Sequence, residues 1–159
     1  MASFTADSNL PSPSGAEGPF VSYGIRAVGN NLYITYFAPH APLSPTGTGA
    51  GILDVCNLNT SSTAPICKRL AASNLDGSET APTLNSAYGL AVAPKHFGEL
   101  SGALLVGNLN DGMIHGFDRK TGALIGTLNL SSAITGLRSL QFGRGSMANL
   151  LFFTAGPSP

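Results

Sequence analysis

Charged residues are scarce in this sequence of 159 residues. Only 10% of its side chains are Asp, Glu, Lys or Arg, against roughly 25% in an average soluble domain. Eight basic residues are balanced by eight acidic ones, and the basic residues form no cluster. A nucleic-acid or anionic-membrane partner needs a concentrated positive patch. The composition therefore predicts neither partner.

Long apolar runs are also missing. No stretch approaches the roughly 18 apolar residues of a membrane-spanning helix. The first 20 residues contain neither a basic segment nor an apolar one, so they do not read as a signal peptide. Apolar residues nowhere recur at helical spacing over three turns, which excludes a long amphipathic helix. We expect no membrane span.

The sequence contains many short apolar runs, each bounded by residues that favour turns. Twenty Gly and eleven Pro interrupt the chain throughout. Runs of four to six Leu, Ile, Val, Tyr and Phe residues between such breaks are typical of β-strands. The sequence therefore predicts an all-β fold. The ten runs are 23–28, 32–36, 51–56, 66–70, 88–93, 103–107, 113–117, 123–128, 138–143 and 150–154.

The order of these runs repeats. The triplet YGI at 23–25 returns as YGL at 88–90 and, more loosely, as RSL at 138–140. A second apolar run follows each triplet, so that 32–35, 104–107 and 151–154 correspond. A repeat of about 45–50 residues with four short strands is typical of a β-propeller blade. A sandwich or jelly roll with chance similarity between hairpins is the alternative.

This repeat divides the chain into an extended N-terminal segment and about two and a half blades. The proposed segments are 1–19, then a partial propeller over 20–159 with blades at 20–71 and 85–130 and an incomplete blade at 136–159. A propeller needs at least four blades to close. We therefore expect the partner to be other copies of this chain, in a ring or a head-to-tail filament, or the missing half of a larger propeller.

Two local features support the blade interpretation. Asp118 and Gly122 fit the turn between a third and a fourth strand, since Asp can cap a turn and Gly can take a positive φ. Glycines also lie inside strands, which indicates crowded strands near a central channel. These strand glycines are Gly24, Gly89, Gly107 and Gly116.

Residues 85–118 (NSAYGLAVAPKHFGELSGALLVGNLNDGMIHGFD) resemble a known family. With TGALIGTL at 121–128 and LFFTAGP at 151–157, they are similar to uncharacterised secreted bacterial proteins related to NHL-type six-bladed propellers. Tyr88 and Arg138 stand where that family usually has Trp. The resemblance implies the C-terminal half of a longer propeller. It implies a fold and no chemistry, because the family has no established activity.

The two cysteines, Cys56 and Cys67, lie at the end of one predicted strand and the start of the next. If those strands pair as a hairpin, the thiols can face each other and form a disulfide. Two buried free thiols are the alternative. A zinc site is incomplete with two cysteines and no nearby histidine.

Asn59 and Asn129 each begin an Asn-X-Ser/Thr triplet in a predicted loop. Such triplets accept N-linked glycans when a eukaryotic chain is secreted. With the paired cysteines and the scarce charge, they favour an extracellular glycoprotein, with a periplasmic location as the other possibility.

The segment GNLNDG at 107–112 offers oxygen ligands. Calcium takes six to eight oxygens, with several carboxylates as a rule, and this segment supplies one. The other interpretation is a hairpin turn in which Asp111 and Gly112 adopt type I′ geometry. We expect no resident cofactor, with calcium as the one ion to consider.

Catalytic constellations are not recognisable. The three histidines, His40, His96 and His115, are scattered, and no nucleophile elbow or metalloprotease spacing occurs. The first hypothesis is therefore a non-catalytic extracellular scaffold that assembles with copies of itself. The second is a ligand- or metal-binding, lactonase-like half of a larger propeller. Its site would lie on the channel face at Asn85, Tyr88, Asn108 and Asp111.

Overall fold

The structure, a computed structural model, describes residues 20–38, 51–59, 66–73 and 84–157. The N-terminal segment 1–19 and His40 lie outside these ranges. Within them, the regular structure consists of ten strands and two single 3₁₀ turns, Gly98–Leu100 and Gly145–Met147. None of the helical segments in these ranges is long and apolar enough to cross a bilayer.

The strands form three antiparallel sheets in chain order. The first sheet has the order β1-β2-β3-β4, the second β5-β6-β7-β8, and the third joins β9 to β10. The first sheet contains β1 (Val21–Val28), β2 (Asn31–Phe37), β3 (Gly51–Asn57) and β4 (Ile66–Ala72). The other strands are β5 (Ala87–Val92), β6 (Leu104–Asn108), β7 (Ile114–Phe117), β8 (Leu124–Thr127), β9 (Leu137–Phe142) and β10 (Leu151–Ala155).

The first strands of the three sheets pack against one another in series, β1 on β5 and β5 on β9. One hydrophobic cluster, which includes Tyr33, Leu53 and Leu104, fills the space between the first and second sheets. Another, which includes Leu105 and Leu140, lies between the second and third. Consecutive four-stranded meanders stacked face to face by their first strands are propeller blades. The predicted all-β partial propeller is confirmed.

The first two blades meet at a close backbone contact. The Gly24 amide donates to Thr35 Oγ1 at 2.9 Å, and the Thr35 hydroxyl donates to the Tyr88 carbonyl at 2.8 Å. A Cβ at Gly24 would lie only 2.0 Å from that carbonyl oxygen. The inner strands can therefore approach this closely only because residue 24 has no side chain.

The second and third blades meet in a related way. A Cβ at Gly89 would lie 2.5 Å from the Arg138 carbonyl oxygen. Gly107 takes the position of Thr35, and the Leu137 side chain of the next blade occupies the space that a side chain there would need. Gly107 and Gly116 lie on β6 and β7, and the crowding that we predicted at these glycines comes there from side chains rather than from a neighbouring backbone. Gly116 instead faces Leu100.

The predicted disulfide is confirmed. Cys56 on β3 lies directly opposite Cys67 on β4, and the two are bonded. Cys56 is fully buried in a third cluster on the first sheet. A bridge that closes a loop this short contributes about 2–3 kcal/mol in the loop-entropy account.

The predicted turn between β7 and β8 is also confirmed. Asp118 Oδ1 accepts hydrogen bonds from the amides of Lys120 and Thr121 at 2.9 and 2.8 Å. Gly122 has a φ of 76° and donates its amide to the Asp118 carbonyl at 2.9 Å. These bonds, led by that from the Thr121 amide, lower the pKa of Asp118 below its ordinary value.

A Gly24→Ala substitution tests the close contact. We expect it to lower the free energy of unfolding by about 1–3 kcal/mol, because the new methyl forces the two inner strands apart. Gly126→Ala on β8 is the matched control, since a Cβ there meets the nearest atom, on Leu100, at an ordinary 3.6 Å. Urea unfolding measures both variants. Equal losses in the two would show that the contact does not limit stability.

Candidate functional site

The four residues predicted for a channel-face site lie at one end of the second blade. Asn85 precedes β5, Tyr88 is on that strand, Asn108 ends β6 and Asp111 follows in the β6–β7 loop. The register pairs Ala87 with Asn108, so the start of β5 and the end of β6 coincide. Whether these residues bind a ligand stays a prediction.

Hydrogen bonds connect the polar side chains of this group. Asn110 Nδ2 donates to Asn85 Oδ1 at 2.9 Å, and Asn108 Nδ2 donates to Asp111 Oδ2 at 3.2 Å. The other oxygen of Asp111 accepts the Met113 amide at 2.9 Å. The loop is therefore ordered by its own side chains, and both oxygens of its carboxylate have donors within the protein.

The loop does not form the predicted type I′ turn. That turn needs positive φ at both central residues, whereas Gly112 has a φ of 68° and Asp111 does not have a positive one. A bond of 3.0 Å from the Asn108 amide to the Met113 carbonyl closes a wider loop instead. The Asp111 carboxylate stabilises this wider loop by accepting a backbone amide two residues on, a local bond that Asp forms readily.

Calcium would find a single carboxylate in this loop. In the part of the chain that the structure describes, no three His, Cys, Asp or Glu side chains converge in a way that could hold a metal ion. The ligands available here are amide oxygens and backbone carbonyls around Asp111. Such a set favours weak binding of a hard cation at most.

Tyr88 also belongs to a row of ring and guanidinium groups, whose other members, Tyr23, Phe37 and Arg138, were not predicted as site residues. The Tyr23 and Tyr88 rings are 4.9 Å apart, and the Phe37 ring stacks on Tyr23 at 4.1 Å. The Arg138 guanidinium lies 6.0 Å from the centre of the Tyr88 ring. Burial, and then the neighbouring Tyr88 phenol, raise the pKa of Tyr23 above its ordinary value.

The repeat itself could have revealed this row. The side chains of Tyr23, Tyr88 and Arg138 hold the same position in the three YGI-type triplets. Since the inner strands pack in series, equivalent side chains become neighbours around the axis of a propeller. The row offers flat aromatic faces and one cation on the same end of the blades as the loop.

A cavity of about 470 Å³ lies at the opposite end, between the first two blades. It is lined by the turn residues Asp118, Arg119 and Lys120, with Asn31 and Ile125 among the other contributors. The Tyr33 hydroxyl at its wall donates to the Arg119 carbonyl at 3.2 Å. The cavity thus combines two cations with a carboxylate already engaged in its own turn.

His115 is buried on β7 rather than displayed in a site. Its Nδ1 lies 2.8 Å from Thr127 Oγ1 on the neighbouring strand. Burial lowers the pKa of His115 below its ordinary value of 6.5, and the Asp111 carboxylate opposes this only in part. His96, in contrast, is exposed.

The lowered pKa of His115 predicts a pH dependence of stability. Below about pH 6.5 the unfolded chain takes up a proton that the folded chain resists, so stability falls as the pH falls. His115→Gln removes this contribution, so the free energy of unfolding should fall less between pH 7.5 and pH 5. Urea unfolding at the two pH values measures it, with His96→Gln as the control. A loss in His115→Gln as large as that in the unaltered chain would contradict the assignment.

Comparisons with known proteins give the following. No protein-family model matches the chain. An uncharacterized protein of Acanthamoeba polyphaga mimivirus is 32% identical in an alignment of 144 residues that covers 85% of this chain and 33% of that protein. The chain therefore spans about a third of the length of this relative.

Among solved structures, the chain is similar to a catalytically inactive virginiamycin B lyase from Staphylococcus aureus crystallised with quinupristin. The TM-score is 0.43 and the identity 14%, over 86% of this chain and 49% of that one.

Proposed function

We propose that this chain is a non-catalytic interaction module whose partial propeller associates with further copies of itself. The observation that carries the proposal is the exposure of β10, the second strand of the third blade. Phe152 and Phe153 on β10 are 49% and 50% exposed. Leu150 and Met147, in the segment that precedes β10, are also exposed. Since successive side chains of a strand point to opposite faces, each face of β10 carries one exposed Phe. Clustered exposed apolar residues mark interaction sites on soluble proteins.

The edge of β10 adds a second reason for association. In the described part of the chain, β10 pairs with β9 and with no other strand. An unpaired strand edge presents a row of amides and carbonyls that another strand can bind. Aromatic side chains on such an edge strengthen the attraction, because burying the exposed half of one Phe contributes on the order of 1 kcal/mol.

An extracellular setting is part of the proposal. The disulfide between Cys56 and Cys67 persists best in an oxidising compartment. Asn59 and Asn129 are both exposed, which leaves them open to glycosylation if the chain is secreted in a eukaryotic host. The resemblance to secreted NHL-type propellers agrees with this setting.

Light scattering coupled to gel filtration tests self-association, with electron microscopy of the same fractions for particle shape. We expect a mass of several chains at micromolar concentration, and rings or filaments in the images. The double variant Phe152→Lys/Phe153→Lys should elute as a monomer, because buried lysine at an interface is costly. Ile125→Lys, an equally exposed apolar position on β8, should assemble as before. A wild-type monomer at all concentrations overturns the proposal.

We propose as the alternative a ligand- or metal-binding half of a larger six-bladed propeller, of lactonase-like type. The observation that supports it is the convergence of Asn85, Asn108 and Asp111 with Tyr88 at one end of the blades.

Thermal unfolding with added Ca²⁺ or Zn²⁺ tests this alternative. A metal site at these residues should raise the melting temperature, because an ion that binds only the folded chain stabilises it by mass action. At an ion concentration a hundredfold above Kd, the free energy of unfolding increases by about 2.7 kcal/mol. Asp111→Asn should abolish the increase, while Asp118→Asn in the β7–β8 turn should not. No increase with either ion in the unaltered chain counts against metal binding.

A further inference from the structure

The two junctions between blades share one packing pattern. At each, the inner strand of the later blade places an aliphatic side chain against the earlier blade. Leu90 does this on the first blade and Leu140 on the second, and both are buried. Ile25 has the same position on β1, yet it is 66% exposed. The β1 surface around Ile25, which we call the head, therefore carries a junction surface that remains open.

The third blade presents the other half of the same junction. Gly24 pairs with Thr35, and Ser139 pairs with Thr154, in the same antiparallel register. The Gly24 amide donates to Thr35 Oγ1 at 2.9 Å, and the Ser139 amide donates to Thr154 Oγ1 at 3.1 Å. Thr35 then reaches the Tyr88 carbonyl of the next blade, whereas Thr154 is exposed.

The apolar residues repeat this correspondence. Tyr33 on β2, two positions before Thr35, is buried against the second blade in the cluster that contains Leu90. Phe152 on β10, two positions before Thr154, is half exposed. We call the surface formed by Ser139, Phe152 and Thr154 the tail. These residues correspond to Gly24, Tyr33 and Thr35, which contact the inner strand of the next blade at the internal junction.

We infer that the copies join head to tail, with β1 of one copy seated on the tail of the next. This inference rests on the proposed self-association and names the surfaces that meet. Tyr23 is the counterpart of Tyr88, so the Tyr23 carbonyl of the second copy faces the Thr154 and Ser139 hydroxyls. Ile25 of that copy packs beside Phe152, as Leu90 packs in the cluster of Tyr33.

One substitution makes this junction looser than the internal ones. Ser139 replaces the glycine found at positions 24 and 89, and a Cβ at Gly24 would lie 2.0 Å from the facing carbonyl oxygen. An incoming β1 must therefore lie farther from β9 than β5 lies from β1. The Ser139 hydroxyl is a hydrogen-bond donor placed to face the incoming strand. We expect a reversible contact rather than a permanent one.

Head and tail are different surfaces, so the contact is heterologous. Each copy that uses its tail still has a free head. Repetition of such a contact closes a ring if the rotation allows it and otherwise grows a filament. A symmetric dimer would require Ile25 to face Ile25, or Phe152 to face Phe152.

Two singly blocked variants test the inference. Ile25→Lys removes the head and leaves the tail, and Phe152→Lys removes the tail and leaves the head. Each alone should elute as a monomer, and an equimolar mixture should form a dimer and nothing larger. Circular dichroism melts check that both fold, as their exposure leads us to expect. Ile125→Lys should assemble like the unaltered chain.

The possible failures can be told apart. A homodimer formed by either variant alone shows a symmetric contact and overturns the head-to-tail inference, while self-association stands. A monomeric unaltered chain overturns the proposed function and this inference together. A second measurement avoids buried charge: Ile25→Cys and Phe152→Cys should cross-link with each other on a non-reducing gel and not with themselves. Self-linked dimers in place of mixed ones would also overturn the inference.

Discussion

The close approach of neighbouring inner strands is the constraint on which this structure depends. At Gly24 the backbone of one blade meets the Tyr88 carbonyl of the next, and the buried Thr35 hydroxyl bridges the two. This contact fixes the spacing between the sheets. The spacing in turn sets the volume available to Tyr33, Leu53 and Leu104, because protein interiors are packed to near-crystalline density. A change at the junction therefore propagates into the whole interblade core.

The same spacing creates the candidate site. Tyr23 and Tyr88 become neighbours because their strands do, and Arg138 extends the row by the same rule. The Asn85 and Asp111 side chains are placed by the β5–β6 register, which brings both to one end of the second blade. The site is thus a consequence of blade geometry, and any ligand specificity would have to come from the side chains that decorate it.

Sequence reasoning reached the strands and sheet order because short apolar runs and their repeat are local signals. The disulfide between Cys56 and Cys67 could be predicted because the two neighbouring strands that carry these residues were expected to pair as a hairpin. The prediction of a type I′ turn was wrong because the turn propensities of Asp111 and Gly112 do not show that the Asp111 carboxylate accepts the Met113 amide. The aromatic row follows from the repeated triplets once the inner strands are known to pack in series. The exposure of Phe152 could not be predicted, because the identity of one residue does not disclose which residues surround it in the fold.

The repeat that stabilises the interior also explains the exposed surfaces. An inner strand that packs between two blades carries an aliphatic side chain on the face toward the preceding blade and a small residue on the face toward the next blade. At the head this leaves Ile25 in solvent, and at the tail it leaves Phe152 and Thr154. With no net charge, the chain has little long-range repulsion to keep copies apart. Ser139 then acts against the tightest packing, since its Cβ prevents the approach that Gly24 permits. Two complementary surfaces and a built-in spacer are what a reversible assembly requires.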